Sequence, residues 1–597
     1  MSGTKSRYSS GAGSGISRRD LLNGFLLASG GIAVSQSVPM RLLAAEMKGG
    51  NCDGVIGSDP RALRGGDLPS AFNVAHWMRD RRLSFETNAV TLAPGCDAFS
   101  GNFSISDDAE HFDVIIVGSG LAGLSAAFYL LRKRAGTRIL LLDAHPYAGG
   151  NAGRDDGAPL PVPAAIAGSY CYANSTDFIV ELYREMKIKW QKHVISDPTD
   201  CYYFDEHTPG VKSGYRGWNI DTFGDGLKLA PYEKHTVHDL LRSRDAIIKL
   251  QTNDPPDLGT INDHLSEMTL DHYLTEVLHC DPAVSDFHTL YTIDALGGTA
   301  QQVNAHSATS FLAGEFSDRL FTFPGGTAEL AQRLVAWLTK ARIRLNSVAL
   351  RVDEGGTPSR PMPSVVYFKD HNFHRATAKT VIVAAQAQSA RHLVEHLLDG
   401  TRTAAWDKFN TVPVVVANVA LRSAAPLAEL GLGYSQAWWG SRYWANFSVA
   451  DWITGDQRTK ATRPTTLTFY GGNTAPPEDL PNERMKLLQT PFGDYEKSIK
   501  DDLSRMMRGS KFDFDRDVSG ICLYRWGHSM IMPTPNLVFG NVRNALGHLD
   551  RTKSPRHIAC SRLGPISFAG QHTEGTPSVE SAIVSGHRAA LEVLGRL

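Results

Sequence analysis

The sequence predicts an α/β fold in which a discontinuous Rossmann-like domain surrounds an inserted, mixed α+β domain. Three observations predict it. A strand–turn–helix–strand unit runs from Phe112 to Leu142, a second strand, turn and helix close the chain between Ile566 and Leu594, and a group of strands lies between Ile343 and Ala385. The stretches between them differ in character: one is polar, punctuated by Pro and Gly and partly helical, the other mixed and rich in aromatics. With 597 residues, 42% hydrophobic and 21% charged, the chain can bury a large core, which excludes a small module and a disordered or fibrous chain. Its 61 Lys+Arg against 62 Asp+Glu leave a formal charge of −1, so there is no bulk basic field for nucleic acid or for an anionic membrane surface.

Taken in order, the N-terminus reads as a targeting segment. Ser17-Arg18-Arg19-Asp20-Leu21-Leu22 places paired arginines before a mildly apolar run that glycines interrupt, and Leu43-Ala44-Ala45 offers small residues for cleavage. A twin-arginine signal over 1–45, the export machinery as a partner and a periplasmic location are the expectations, with no stable membrane span. That route carries folded proteins, which suits an enzyme whose cofactor is inserted before crossing. The seven cysteines are scattered, with no C-x-x-C for zinc and no C-x-x-C-H for a c-type haem; Cys52 with Cys96 is a tentative pair. Residues 46–109, rich in Gly, Pro, Asp and Ser, read as an arm laid on the main body, with one helix over Ala71–Arg82.

The chemistry begins at Gly118-Ser119-Gly120-Leu121-Ala122-Gly123, a G-x-G-x-x-G that follows a buried strand and opens a helix. Gly118 permits the tight turn, Gly120 lets the backbone approach a pyrophosphate, and Gly123 allows close packing of helix on strand. The helix N-terminus favours phosphate charge. Asp143 ends the second strand, placed to accept hydrogen bonds from a ribose diol.

FAD is the better reading of the dinucleotide than NAD, because Gly149-Gly150 follows Asp143 closely and the C-terminal strand and turn Ile566–Gly570 lead into a helix from Ser578 to Leu594. In two-domain flavoproteins that this chain resembles, that helix points its N-terminus at the flavin ring. Its first N–H groups would stabilise negative charge there.

Longer stretches make the resemblance specific. ISRRDLLNG (Ile16–Gly24), LRGGDLPSAFNVAH (Leu63–His76), DAHPYAGGNAGR (Asp143–Arg154), FTFPGGTAELAQRLV (Phe321–Val335), TPFGDYEKSIKDDLSRMM (Thr490–Met507) and LYRWGH (Leu523–His528) resemble the spermidine dehydrogenase family, a branch of the flavin amine oxidase and phytoene desaturase group. The resemblance implies oxidation of polyamines with FAD and an external electron acceptor, and in some members a b-type haem as well. It also implies that Gly149, Gly150, Arg154, Val348, Gly570, Ser578 and Val579 belong to the cofactor-binding surface. The chain departs from the family at Ser529-Met530-Ile531-Met532-Pro533, where relatives carry a Gly-Tyr-Ala-Tyr-like run.

Amine oxidation needs a neutral nitrogen and hence a dry, apolar site whose aromatic faces hold cations. Trp438, Trp439, Tyr443, Trp444, Tyr470 and Trp526 could wall it, and each could equally be ordinary core. Trp526 and His528, in the family-like R-W-x-H segment, are the candidates for touching substrate or cofactor; His528 could instead be a hydrogen-bonded structural histidine. His76, on the helix of the arm, could bind haem iron as a neutral imidazole or simply pack the arm on the body. The expected segments are FAD-binding 110–195, 320–396 and 539–597, with substrate-domain pieces 196–319 and 397–538. The rival readings are a flavin desaturase or other C–H oxidoreductase of an apolar substrate, and a non-catalytic flavin electron-transfer protein.

Overall fold

The computed structural model describes residues 64–95, 99–168, 170–172, 176–189, 200–252, 258–317, 320–357, 360–432, 436–450 and 462–597. The expected signal, Cys52 and Cys96 lie outside these residues. The described cysteines, Cys171, Cys201, Cys280, Cys522 and Cys560, are buried free thiols.

Five parallel strands form the sheet on which the site is built, in the order Arg342–Arg344, Ile139–Leu142, Val114–Val117, Thr380–Val383, Ile566–Phe568. Three separate stretches of chain supply them, so the Rossmann-like sheet is discontinuous. Val114–Val117 and Ile139–Leu142 are buried along their whole length, as parallel strands covered on both faces must be.

Helix Leu121–Lys133 starts directly after the glycine turn, and the closing helix Val579–Leu594 crosses it so tightly that a Cβ on Gly586 would overlap the Ser125 hydroxyl and the Ala122 carbonyl. Ala is the better helix former by about 1 kcal/mol, but overpacking costs about 1–3 kcal/mol. Gly586→Ala is therefore expected to lower the thermal unfolding midpoint despite its helix propensity.

The segment expected as an arm is more than an appendage. Leu83–Phe85, Ala89–Leu92 and Gly101–His111 are three strands of a six-stranded sheet whose other half is Val348–Asp353, Ser364–Lys369 and Asn372–Thr377. Gly101–His111 is polar and mostly exposed, so it carries little strand propensity of its own. Its parallel pairing with Asn372–Thr377 supplies the structure. The helix expected over 71–82 spans Pro69–Arg79, with Pro at its first turn.

Just before that helix, Gly65–Gly66 forms a short parallel rung beside Tyr524–Arg525, and Arg64 grips Asp155 through Nε at 2.8 Å and Nη2 at 3.1 Å. The rung is the edge of an eight-stranded sheet that continues through Val518–Ile531, Thr411–Leu421, Thr465–Tyr470, Asn446–Val449, Gln436–Trp438, Cys201–Phe204 and Gly217–Ile220. Alternation sorts its faces: Tyr202 and Phe204 pack with the helices between 234 and 316, whereas Tyr203 packs with helix Phe492–Met506. No helix among the described residues is long and apolar enough to cross a membrane.

Candidate active site

A cavity of about 570 Å³ runs from the glycine turn of the parallel sheet into the space beneath the eight-stranded sheet. Gly118, Gly120, Asp143, Gly149, Gly150, Val348, Trp526, His528, Gly570, Ser578, Val579 and His76 all line it. Positions scattered over 500 residues of sequence thus meet at one site.

The glycines divide their roles as the motif requires. Gly118 has φ +106°, and a Cβ there would stand 2.5 Å from the Ala384 carbonyl oxygen. Gly123 does not line the cavity, because a Cβ on it would overlap the Gly118 carbonyl; it is the packing glycine. Gly120 differs from both. It has an ordinary φ of −67°, and a Cβ would meet nothing nearer than the Gly149 carbonyl oxygen at 4.0 Å. The absent side chain leaves an open cradle beside the uncapped N-terminus of helix Leu121–Lys133, where free N–H groups favour a phosphate. Ser578 caps the closing helix by accepting from the Ser581 N–H at 3.0 Å.

Asp143 accepts from the Ser119 N–H at 2.6 Å, the Ser119 hydroxyl at 2.7 Å and the His145 N–H at 2.8 Å. Burial alone would raise its carboxyl, but hydrogen bonds and charge from His145, with Ser119, hold it below the usual carboxylate range. It is thus ionised, with lone pairs left for a diol. Beside it, the His145 Nε2 and the Tyr147 hydroxyl are buried without partners. An open phosphate cradle, an ionised acceptor and unpaired buried donors are the complement of a dinucleotide, so these residues fit FAD. Arg154 stands apart from the lining. Its Nη1 donates to Glu329 at 3.2 Å and to the Gly325 carbonyl at 3.4 Å, fastening strand Arg154–Asp155 to the turn at Gly325.

At the far end, Tyr170, Tyr291, Trp438 and Tyr470 form aromatic walls, and Asp294 and Glu315 stand among them. Trp439 and Trp444 lie instead in the core packed against helix Phe492–Met506, with Tyr443 against it, so only Trp438 of that tryptophan-rich stretch reaches the cavity. Trp526 lines the wall and donates its indole N–H to the Ile166 carbonyl at 2.7 Å.

The carboxylates are the part that sequence reasoning missed. Glu315 Oε1 accepts from the Tyr291 hydroxyl at 2.9 Å, and its Oε2 is buried without a partner. Burial, then the charges of Asp200 and Asp294, push the Glu315 carboxyl well up; burial pushes Asp294 up to about 7. A signal was present in each helix. Asp294 follows Phe287 and Tyr291 at helical spacing, and Glu315 follows Phe311 and Leu312, so each is a charge set on an apolar stripe.

Comparison with known proteins agrees with this geometry. Residues 121–594 match the family described as flavin containing amine oxidoreductase. The protein designated flavin-containing monoamine oxidase AofH in Mycobacterium tuberculosis is 24% identical over 526 residues, covering 81% of this chain and 97% of its own. Prolycopene isomerase 1 of an Oncidium hybrid cultivar is 29% identical over 160 residues, 26% of each chain. Among solved structures, a triple-mutant putrescine oxidase superposes with a TM-score of 0.58 at 16% identity, covering 82% of this chain and 99% of that one. Cyclohexylamine oxidase from Brevibacterium oxydans gives 0.57 at 16%, covering 81% and 99%. The cradle, the closing helix and the match over 121–594 lead to one conclusion: the chain belongs to the flavin-containing amine oxidoreductase family and is an FAD-dependent oxidoreductase.

Proposed function

We propose that the chain is an exported FAD-dependent dehydrogenase of a di- or polyamine of the spermidine type. The observation that carries the reading is Asp294 and Glu315 between aromatic walls in the same cavity as the dinucleotide cradle. Bound FAD supplies a two-electron acceptor for a C–H bond next to nitrogen, giving an imine that water opens to an aldehyde and a shorter amine. The protein's part is to hold the substrate. Tyr170, Trp438 and Tyr470 exclude water around the reacting nitrogen, which favours its neutral form, while Asp294, ionised above about 7, attracts a second, charged nitrogen with Glu315 beside it.

Anaerobic addition of spermidine or putrescine is expected to bleach the flavin band; indifference to every amine tried rejects the reading. Two buried carboxyls do not suit the wholly apolar substrate of a desaturase. Because Asp294 is neutral below about 7 and charged above it, affinity for a cationic substrate rises with pH through that value. KM for putrescine should fall by about tenfold per pH unit on the acid side, and Asp294→Asn should flatten that slope.

The expected b-type haem belongs to the same proposal. His76 lines the cavity, burial and then the charges of Arg79, His392 and Arg484 keep its imidazole neutral, and its Nδ1 is buried without a partner, as an iron ligand requires. Sharp Soret and α bands in a reduced-minus-oxidised spectrum, lost in His76→Ala with flavin retained, would support it. Their absence from FAD-loaded protein removes it. For export, Arg18→Lys with Arg19→Lys should leave the protein in the cytoplasmic fraction.

A further inference from the structure

The end of the cavity away from the carboxylates carries a binding chemistry of its own. Helix Pro69–Arg79 brings His76 and Arg79, helix Ala387–Val394 brings Gln388 and His392, helix Leu480–Gln489 brings Arg484, and strand Val518–Ile531 brings His528; all six line one lobe. Thr411 ties two of them together. Its carbonyl accepts from Arg484 Nη1 at 3.1 Å and its hydroxyl lies 2.7 Å from His528 Nδ1. His528, half-buried, feels the charges of Arg484, His76, Arg79 and His392.

The carboxyls near the lobe are already engaged: Asp67, pushed up by burial, accepts from the Gly527 N–H at 2.8 Å. Arg79 is held by Asp80 at 2.7 and 3.0 Å, and His392 by Glu395 at 3.2 Å. Arg484 has no carboxylate partner among the described residues, and its Nε is buried with nothing to bond. Burial and Arg79 push it down only to about 10, so it stays cationic at neutral pH. The Gln388 Oε1 and His76 Nδ1 are also buried without partners. A guanidinium withdrawn from water without a counter-ion costs several kcal/mol, which a bound anion would offset. The lobe also adjoins the flavin seat, because the carbonyl of Ser529, next to His528, accepts from Asn151 at 3.0 Å and Gln571 at 2.8 Å.

We infer that this lobe binds the anionic group of the redox partner that removes electrons from the enzyme, with Arg484 as its counter-ion and Arg79 and His76 beside it. The inference rests on the amine dehydrogenase reading for the reaction. Imine formation removes two electrons and two protons from the amine, and a quinone accepts both pairs on becoming a hydroquinone. The ligand chemistry is a conjugated ring bearing an acidic group, a diffusing quinone acid.

The test compares, on the holoenzyme, a naphthoquinone sulfonate with the uncharged naphthoquinone as acceptors. Wild type should favour the sulfonate. Arg484→Gln should raise its KM about thirtyfold and leave the uncharged quinone unchanged, with amine-driven bleaching of the flavin also unchanged; Arg484→Lys should restore most of the loss. Independently of turnover, the redox-inert naphthalene sulfonate should bind wild type by calorimetry and fail to bind Arg484→Gln. Haem bands in the holoenzyme that Arg484→Gln weakens or shifts in potential would give the lobe to the haem and overturn the inference. Equal KM values for the two quinones in wild type and variant, with no sulfonate binding, overturn it as well. Failure of every amine to bleach the flavin defeats the amine reading instead and leaves the sulfonate measurement to decide the lobe.

Discussion

Gly120→Val is expected to give a folded, colourless protein. Valine tolerates the backbone at −67°, and the space its Cβ would enter is open, so neither the strand before it nor the helix after it is strained. That space is where the phosphate must sit. Displacing it forfeits at least two hydrogen bonds to a charged group, about 1.5–3 kcal/mol each, so flavin affinity should fall by about a hundredfold or more. Fluorescence titration of apoprotein with FAD measures the loss, and circular dichroism confirms the fold. Gly123→Ala is the contrasting case: its methyl overlaps the Gly118 carbonyl, so folding as well as colour should fail. A Gly120→Val protein that purified yellow with unchanged affinity would show that the pyrophosphate lies elsewhere.

The combined change Asp294→Asn with Glu315→Gln should lower kcat/KM for putrescine or spermidine by about two orders of magnitude or more. Removing the partner of a buried charge pair costs about 2–5 kcal/mol, here because the distal ammonium would enter an uncharged chamber. A monoamine of similar bulk has no second charge to lose and should change by less than about threefold. Each single variant should fall between, with the Glu315→Gln loss differing from a simple sum because the two carboxyls share one electrostatic environment. Equal losses for mono- and diamines would assign the pair to general packing rather than recognition.

How much of this was legible before the structure depends on distance along the chain. The glycine turn, Asp143 and the closing helix are local signals, each written within about thirty residues and each tied to a backbone geometry that few sequences satisfy. They located the cofactor end, and Trp526 and His528 also reach the cavity. The substrate end was illegible because its acids stand alone on two helices and meet only when tertiary packing brings those helices together. Of the three strands from Leu83 to His111, Gly101–His111 is illegible for a related reason: its polar sequence gains order from a partner nearly three hundred residues away. Arg154 does not line the cavity; its Nη1 donates to Glu329 and Gly325, while its Nε is buried without a partner.

The rung at Gly65–Gly66 has a bearing on biosynthesis. It pairs with residues more than 450 positions downstream, so a stretch that leaves the ribosome early is among the last to find its place. The segment stays without its mate until the distant C-terminal third has been made, and a chain cut short before Tyr524 would never seat it.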